Sequence, residues 1–115
     1  MTDDDLVRQP AAGPLGVQYT AGDAWVVTAQ GEVDLQNMAP LADALTEAAG
    51  NHSVVVLDTS AVTFADSTFL NLLLTMHRLT DLRIAAPAAG LKRLLDVTGA
   101  DQVLTVRATV ADAIP

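Results

Sequence analysis

The sequence predicts one α/β domain on a mostly parallel mixed sheet, and three features of the chain point to it. Strand-like runs alternate with segments of helical periodicity along most of the chain, the pattern of strand-helix-strand crossovers. The run VVVL at 54–57 is continuously apolar, as in a central strand buried on both faces. The 115 residues are 50% apolar, rich in Ala, Val and Leu, which suffices for one core and leaves no room for a second.

The elements follow in order. Residues 1–13 hold Asp3, Asp4, Asp5, Pro10 and Gly13 with little to bury, so they are expected to be a disordered lead to a domain spanning 14–115. Residues 15–19 alternate weakly and suit an edge strand. Gly22 and Asp23 mark a turn, and 24–31 (AWVVTAQG) is β-rich, so a hairpin opens the domain. Asn37 is expected to cap a helix in which Met38, Leu41, Ala42, Leu45, Ala48 and Ala49 recur at helical spacing. Pro40 fits its first turn and Gly50 its end. The central strand ends at Asp58, and 59–65 is expected to be a loop. Ser67 is placed to cap a second helix reaching about Leu79. A short strand at 82–86 closes at Pro87. Leu91, Leu94 and Leu95 mark a third helix stopped by Gly99. A last strand at 102–106 precedes a short helix at 110–114. The order β-β-α-β-α-β-α-β-α gives about five strands and four helices, with right-handed crossovers.

Composition narrows the function. A net charge of −8 argues against nucleic acid, because phosphate binding needs clustered Lys and Arg. Of the six basic residues only Lys92 and Arg93 are adjacent, so an anionic membrane surface is disfavoured too. No cysteine is present, which excludes disulfides, thiolate metal sites and thiol catalysis. No run approaches a membrane span, and the acidic start does not resemble a secretory signal, so a cytoplasmic location is expected.

Catalytic signatures are weak. The chain lacks a phosphate-binding loop, a dinucleotide fingerprint and a nucleophile elbow. His52 and His77 have no partner at metal-ligand spacing. Asp34, Asp58 and Asp66 stand after strands or loops and could in principle hold a divalent ion, but without a nucleophile and base the simpler role is capping turns and helix starts. The expectation is therefore a non-enzymatic domain with no metal and no cofactor.

The helix from Ser67 is the most informative element. On a helical wheel Ser67, Asn71, Thr75 and Arg78 share one arc with Thr68 beside them, while Phe69, Leu70, Leu72, Leu73, Met76 and Leu79 fill the rest. The polar arc carries no charge before Arg78, so it is easily desolvated, as the centre of an interface should be.

The stretch VLDTSAVTFADSTFLNLL resembles the signature of bacterial anti-sigma-factor antagonists, the STAS-domain family, with Asp58, Phe64, Asp66, Ser67, Thr68 and Leu70 in matching places. GEVD at 31–34 is similar to the family's Gly-Glu-Leu/Ile-Asp after the second strand. The closing LRIAAPAAGLKRLLDVTGADQVLTV is similar to its last strand-helix-strand unit, with Pro87, Leu94, Thr98 and Gly99. The resemblance runs from about residue 15 to the end. It implies a domain that binds an anti-sigma factor, often a serine kinase, and so frees a sigma factor. It also implies phosphorylation at Ser67, with Thr68 as the alternative acceptor, release of the phosphorylated form, and resetting by a PP2C-type phosphatase. The implied partner surface takes in Asp34, Asp58, Asp66, Ser67, Thr68, Phe69, Asn71, Thr75 and Arg78. One departure is plain: Phe69 stands where the family usually has Gly. The residue would fill space a partner backbone could use, which implies altered partner choice or a scaffold that binds without phosphate cycling.

Overall fold

The computed structural model describes residues 7–8 and 13–115. Its elements are β1 (Val7–Arg8), β2 (Leu15–Ala21), β3 (Ala24–Val33), α1 (Ala39–Asn51), β4 (Val54–Ala65), α2 (Ser67–Leu79), β5 (Asp81–Ala85), α3 (Ala89–Thr98), a 3-10 turn (Ala100–Gln102), β6 (Thr105–Arg107) and α4 (Val110–Ala113). They form the expected α/β domain. The sheet has six strands in the order β1-β2-β3-β4-β5-β6. The first two pairings are antiparallel and the last three parallel.

This sequential order has a consequence for the layers. A right-handed crossover carries its helix to the same side each time the next strand is added in the same direction, so α1, α2 and α3 share one face. The main core lies there: Trp25 and Val27 of β3, Val55 and Leu57 of β4, and Leu82 and Ile84 of β5 pack against Leu41, Leu45, Phe69, Leu73, Leu91 and Leu95. The alternate residues Ala24, Val26, Val54, Val56 and Ala85 face the other way and meet Ala113 of α4. Val54–Leu57 are thus buried on both faces, as their unbroken apolar run predicts. Small side chains let a four-residue helix cover this second face, and Arg83 Nη1 anchors it by donating to the Ala113 carbonyl at 3.0 Å. Gly22, at φ +59° in the β2–β3 turn, is needed here, because a Cβ would sit 2.9 Å from Ile114 Cγ2.

Several expectations are corrected. Val7–Arg8, inside the expected disordered lead, pair with Tyr19 and Gln18 of β2 as a strand too short to leave a sequence signal; residues 1–6 and 9–12 lie outside the described residues. Asn37 is not the cap of α1. Met38 holds that position without a side-chain bond, and Asn37 clamps the preceding loop instead. Gly50 does not end α1, which runs on to Asn51; one exposed glycine costs a helix only about 1 kcal/mol. The chain turns at His52, whose ring stacks on Trp25 with centroids 4.9 Å apart. The expected loop 59–65 is strand: β4 continues to Ala65 because β3 also continues, to Val33, and Ala61, Val62, Phe64 and Ala65 keep pairing with it, in a stretch where Thr59, Val62 and Thr63 favour extended backbone. Gln102 belongs to the 3-10 turn, and β6 starts at Thr105 once Leu104 has been buried. Gly99, at φ 78°, does end α3 as expected.

Tyr19 lies half-buried against the α4 side of the sheet. Burial first, and then the Asp58 carboxylate, raise its phenol above the ordinary 10.0. The folded protein therefore holds this proton at alkaline pH where the unfolded chain has released it. The resulting stability is present below pH 10 and is lost as pH rises through the folded pKa. Tyr19→Phe is expected to remove that alkaline decline from denaturant unfolding measured on both sides of pH 10, and an unchanged decline would assign it to another group.

Candidate functional site

β3 and β4 are the longest strands, and their last register partners are Val33 and Ala65. Asp34 and Asp66 follow these directly. Both carboxylates therefore stand at the carboxyl end of the parallel sheet, one strand spacing of about 4.8 Å apart at the backbone, where open α/β sheets commonly place their sites.

Each carboxylate organises its own turn. Asp34 Oδ1 accepts from the backbone N–H of Gln36 at 2.9 Å and of Asn37 at 3.2 Å, while Asn37 Oδ1 accepts from the Asp34 N–H at 3.0 Å. Asn37 Nδ2 also donates to the Glu32 carbonyl at 2.9 Å, which fixes the loop on β3 and leaves Leu35 exposed at its tip. Asp66, not Ser67, caps α2: its Oδ1 accepts from the N–H of Thr68 at 2.9 Å and of Phe69 at 3.4 Å. The expected role of Ser67 as cap is thus corrected. Asp66 is extended at φ −121° and its longer side chain reaches back to the free amides, so the helix proper begins at Ser67.

Capping and burial together aim the helix. Phe69, Leu70, Leu73 and Met76 are buried, and they turn Ser67, Asn71, Thr75 and Arg78 outward as the strip the wheel predicts. Ser67 Oγ has no hydrogen-bond partner among the described residues. Thr68 beside it is half-buried. Phe69 is 0% exposed and sits in the main core, so its side chain takes no part in a surface and does not occupy the space in front of Ser67. Its place in the implied partner surface is corrected accordingly.

Asp58 is not part of this cluster. It shares the parity of Val54 and Val56, pairs with Thr28 and Ala85, and lies near Tyr19 on the α4 side of the sheet, where its Oδ1 accepts from the Ser60 N–H at 3.0 Å. Alternation along the strand separates it from Ser67. The three aspartates that could in principle bind a divalent ion therefore do not come together, and among the described residues no group of three His, Asp or Glu could hold a metal. His77 Nδ1 is buried without a partner among the described residues. No helix among them is long and apolar enough to cross a membrane.

One exposed residue escaped the sequence pattern. Phe64 is 54% exposed although Val62, two residues earlier, is buried. Between them β4 advances two residues while β3 advances one, from Gly31 to Glu32, and this bulge reverses the face.

The family profile described as Mlab, STAS domain, matches residues 18–106. Among solved structures the chain is similar to an anti-sigma factor antagonist from Mycobacterium paratuberculosis, 25% identical with a TM-score of 0.77, over 84% of this chain and 86% of that one. An anti-sigma-factor antagonist (STAS) domain protein from Planctomyces limnophilus shares the fold at 17% identity and a TM-score of 0.76, over 90% and 96% of the two chains. The Bacillus cell fate determinant SpoIIAA in its phosphorylated form shares it at 16% identity and 0.66, over 86% and 95%. No curated protein matches the sequence.

Two outcomes follow from the cap and the buried ring. Asp66→Ala leaves amides at the start of α2 without an acceptor and is expected to cost about 1 kcal/mol, read as a lower urea midpoint at an unchanged slope. Phe69→Ala is expected to cost about 3–5 kcal/mol and to lower the melting temperature by about 10 °C or more. A near-neutral result would mean that the ring is not in the core.

Proposed function

The chain belongs to the STAS-domain family, and on that premise we propose that it is an anti-sigma-factor antagonist working in the bacterial cytoplasm. It binds an anti-sigma factor of the serine-kinase type and thereby frees a sigma factor. The kinase transfers phosphate from ATP to Ser67, the modified domain lets go, and a PP2C-type phosphatase restores it. The domain itself catalyses nothing.

The observation that carries this reading is Ser67 at the first turn of α2, exposed, with a hydroxyl unengaged among the described residues and an uncharged strip of Asn71 and Thr75 behind it. A helix start tolerates an anion, because free amides and the helix dipole point at it. Phosphorylation, adding about −1.5 to −2 charge, should therefore leave the fold intact. A partner fitted to the hydroxyl meets a different surface. Two unit charges about 4 Å apart, such as the phosphate and Asp66, repel by about 1 kcal/mol in water and about 4 kcal/mol at an effective dielectric near 20. With the desolvation of the phosphate added, affinity falls by about 10²–10³ without a conformational change. Asp34 and its loop, on the neighbouring strand end, and Arg78, at the far end of the strip, extend the same surface.

A second reading keeps the family membership and drops only the modification of Ser67. In it the domain is a scaffold or complex subunit that binds its partner without phosphate cycling.

The deciding experiment incubates the domain with extract of its own organism and ATP and maps phosphate by mass spectrometry. Phosphate on Ser67 is expected, and a folded domain left unmodified would overturn the antagonist reading in favour of the scaffold. With the kinase in hand, Ser67→Ala is expected to keep binding and lose modification. Ser67→Asp is expected to weaken binding strongly with a melting temperature within a few degrees of wild type.

A further inference from the structure

We infer that the cavity between α3, the 3-10 turn and β6 binds a small apolar zwitterion, of the class of a free hydrophobic amino acid or dipeptide. The site is independent of the antagonist reading, since none of Asp34, Asp66, Ser67, Asn71, Thr75 and Arg78 lines it.

α3 supplies one wall. Ala89, Lys92, Arg93 and Asp96 recur at i, i+3, i+4 and i+7, so they form a single stripe along the helix. Leu91 and Leu95 are buried and fix how α3 is rotated, and Leu95 closes the floor beneath the stripe. The chain then turns back. Gly99, at φ 78°, ends α3, and the Val103 and Leu104 amides both donate to the Ala100 carbonyl, at 3.0 and 2.8 Å. This turn brings Asp101 and, on β6, the half-buried Val106 to the opposite wall. β6 is three residues long and stands at the edge of the sheet, so no further strand covers this side. The result is a cavity of about 600 Å³, within the range of about 300–1,000 Å³ usual for small-molecule sites.

The charges on these walls are balanced and unpaired. Lys92 and Arg93 line the cavity together with Asp96 and Asp101, so its formal charge is zero on a chain that carries 14 acidic residues against 6 basic. Among the described residues no ion pair joins any two of the four, although Lys92 and Asp96 stand four apart on the helix. Each charged end is therefore open to a ligand. Lys92 also lines an adjoining cavity of about 270 Å³ with Arg107, whose Nη1 donates to the Val106 carbonyl at 3.1 Å.

This balance selects the ligand. A plain anion gains Lys92 and Arg93 but meets Asp96 and Asp101, and a plain cation meets the reverse. An uncharged apolar molecule covers Ala89, Leu95 and Val106 yet takes water from four charged groups and offers them no partner. A molecule with an ammonium, a carboxylate and an apolar body answers both signs with charge-assisted hydrogen bonds and lays its apolar part on the floor.

The test titrates the full domain, by amide NMR, with L-leucine and L-leucyl-L-leucine, and with N-acetyl-L-leucine and L-leucinamide, which keep the apolar body and one charge each. Saturable shifts are expected at Ala89, Lys92, Asp101 and Val106 with a zwitterion, and binding at least tenfold weaker with either single-charge relative. The tighter of leucine and its dipeptide names the source. Asp96→Asn with Asp101→Asn should erase the preference over N-acetyl-L-leucine, and Lys92→Gln with Arg93→Gln that over L-leucinamide. Both pairs lie at exposed positions and should leave the melting temperature unchanged. No saturable shift at millimolar ligand, shifts mapping elsewhere, or equal affinity for the zwitterions and their single-charge relatives overturns the site.

Discussion

The parallel ladder between β3 and β4 sets the position of everything functional in this domain. It is the longest pairing in the sheet, running from Trp25 with Val55 to Val33 with Ala65. Its inner half is buried on both faces and holds the helices in place. Its outer half reaches beyond β5 and ends in two aspartates that each close a turn. Because the two strands finish together, the Asp34 loop and the start of α2 finish together, and Ser67 is carried into solvent at their common end. Shortening either strand would separate these elements.

Two irregularities within that ladder give it a second property. β4 takes one extra residue between Asp58 and Ala61 and another between Val62 and Phe64. Each reverses which side chains face which layer. Up to Asp58 the even residues of β4 face α4, so Asp58 meets Tyr19 and is lost to the site. After the second bulge Phe64 faces water, beside Leu94 and Val97 of α3.

The two faces of the sheet do different work. The face carrying α1, α2 and α3 contains nearly all the large buried side chains and fixes how α2 is rotated. Phe69 belongs to this layer. A glycine in its place would leave a void at the head of the helix that carries Ser67, so in this chain the residue is a structural anchor and not an obstacle to a partner. The opposite face is made of Ala and Val and is closed by a short helix held by Arg83. That thin cover suffices because the side chains beneath it are small.

The sequence by itself determined the class of fold, the order of its elements from the hairpin onward, the double burial of 54–57, and the outward strip of Ser67, Asn71, Thr75 and Arg78. These follow from periodicity, which acts over a few residues and can be read along a chain. It also gave Asp66 a capping role beside Ser67, though not which of the two would cap α2, because two adjacent capping residues compete and local geometry decides between them. Only the tertiary structure decided that 59–65 is strand, that Asp58 faces away from Ser67, that Phe69 is core and that Phe64 is surface. Each of these depends on register between strands distant in sequence. One extra residue in β4 inverts a whole face, and a single chain read on its own carries no mark of what lies beside it.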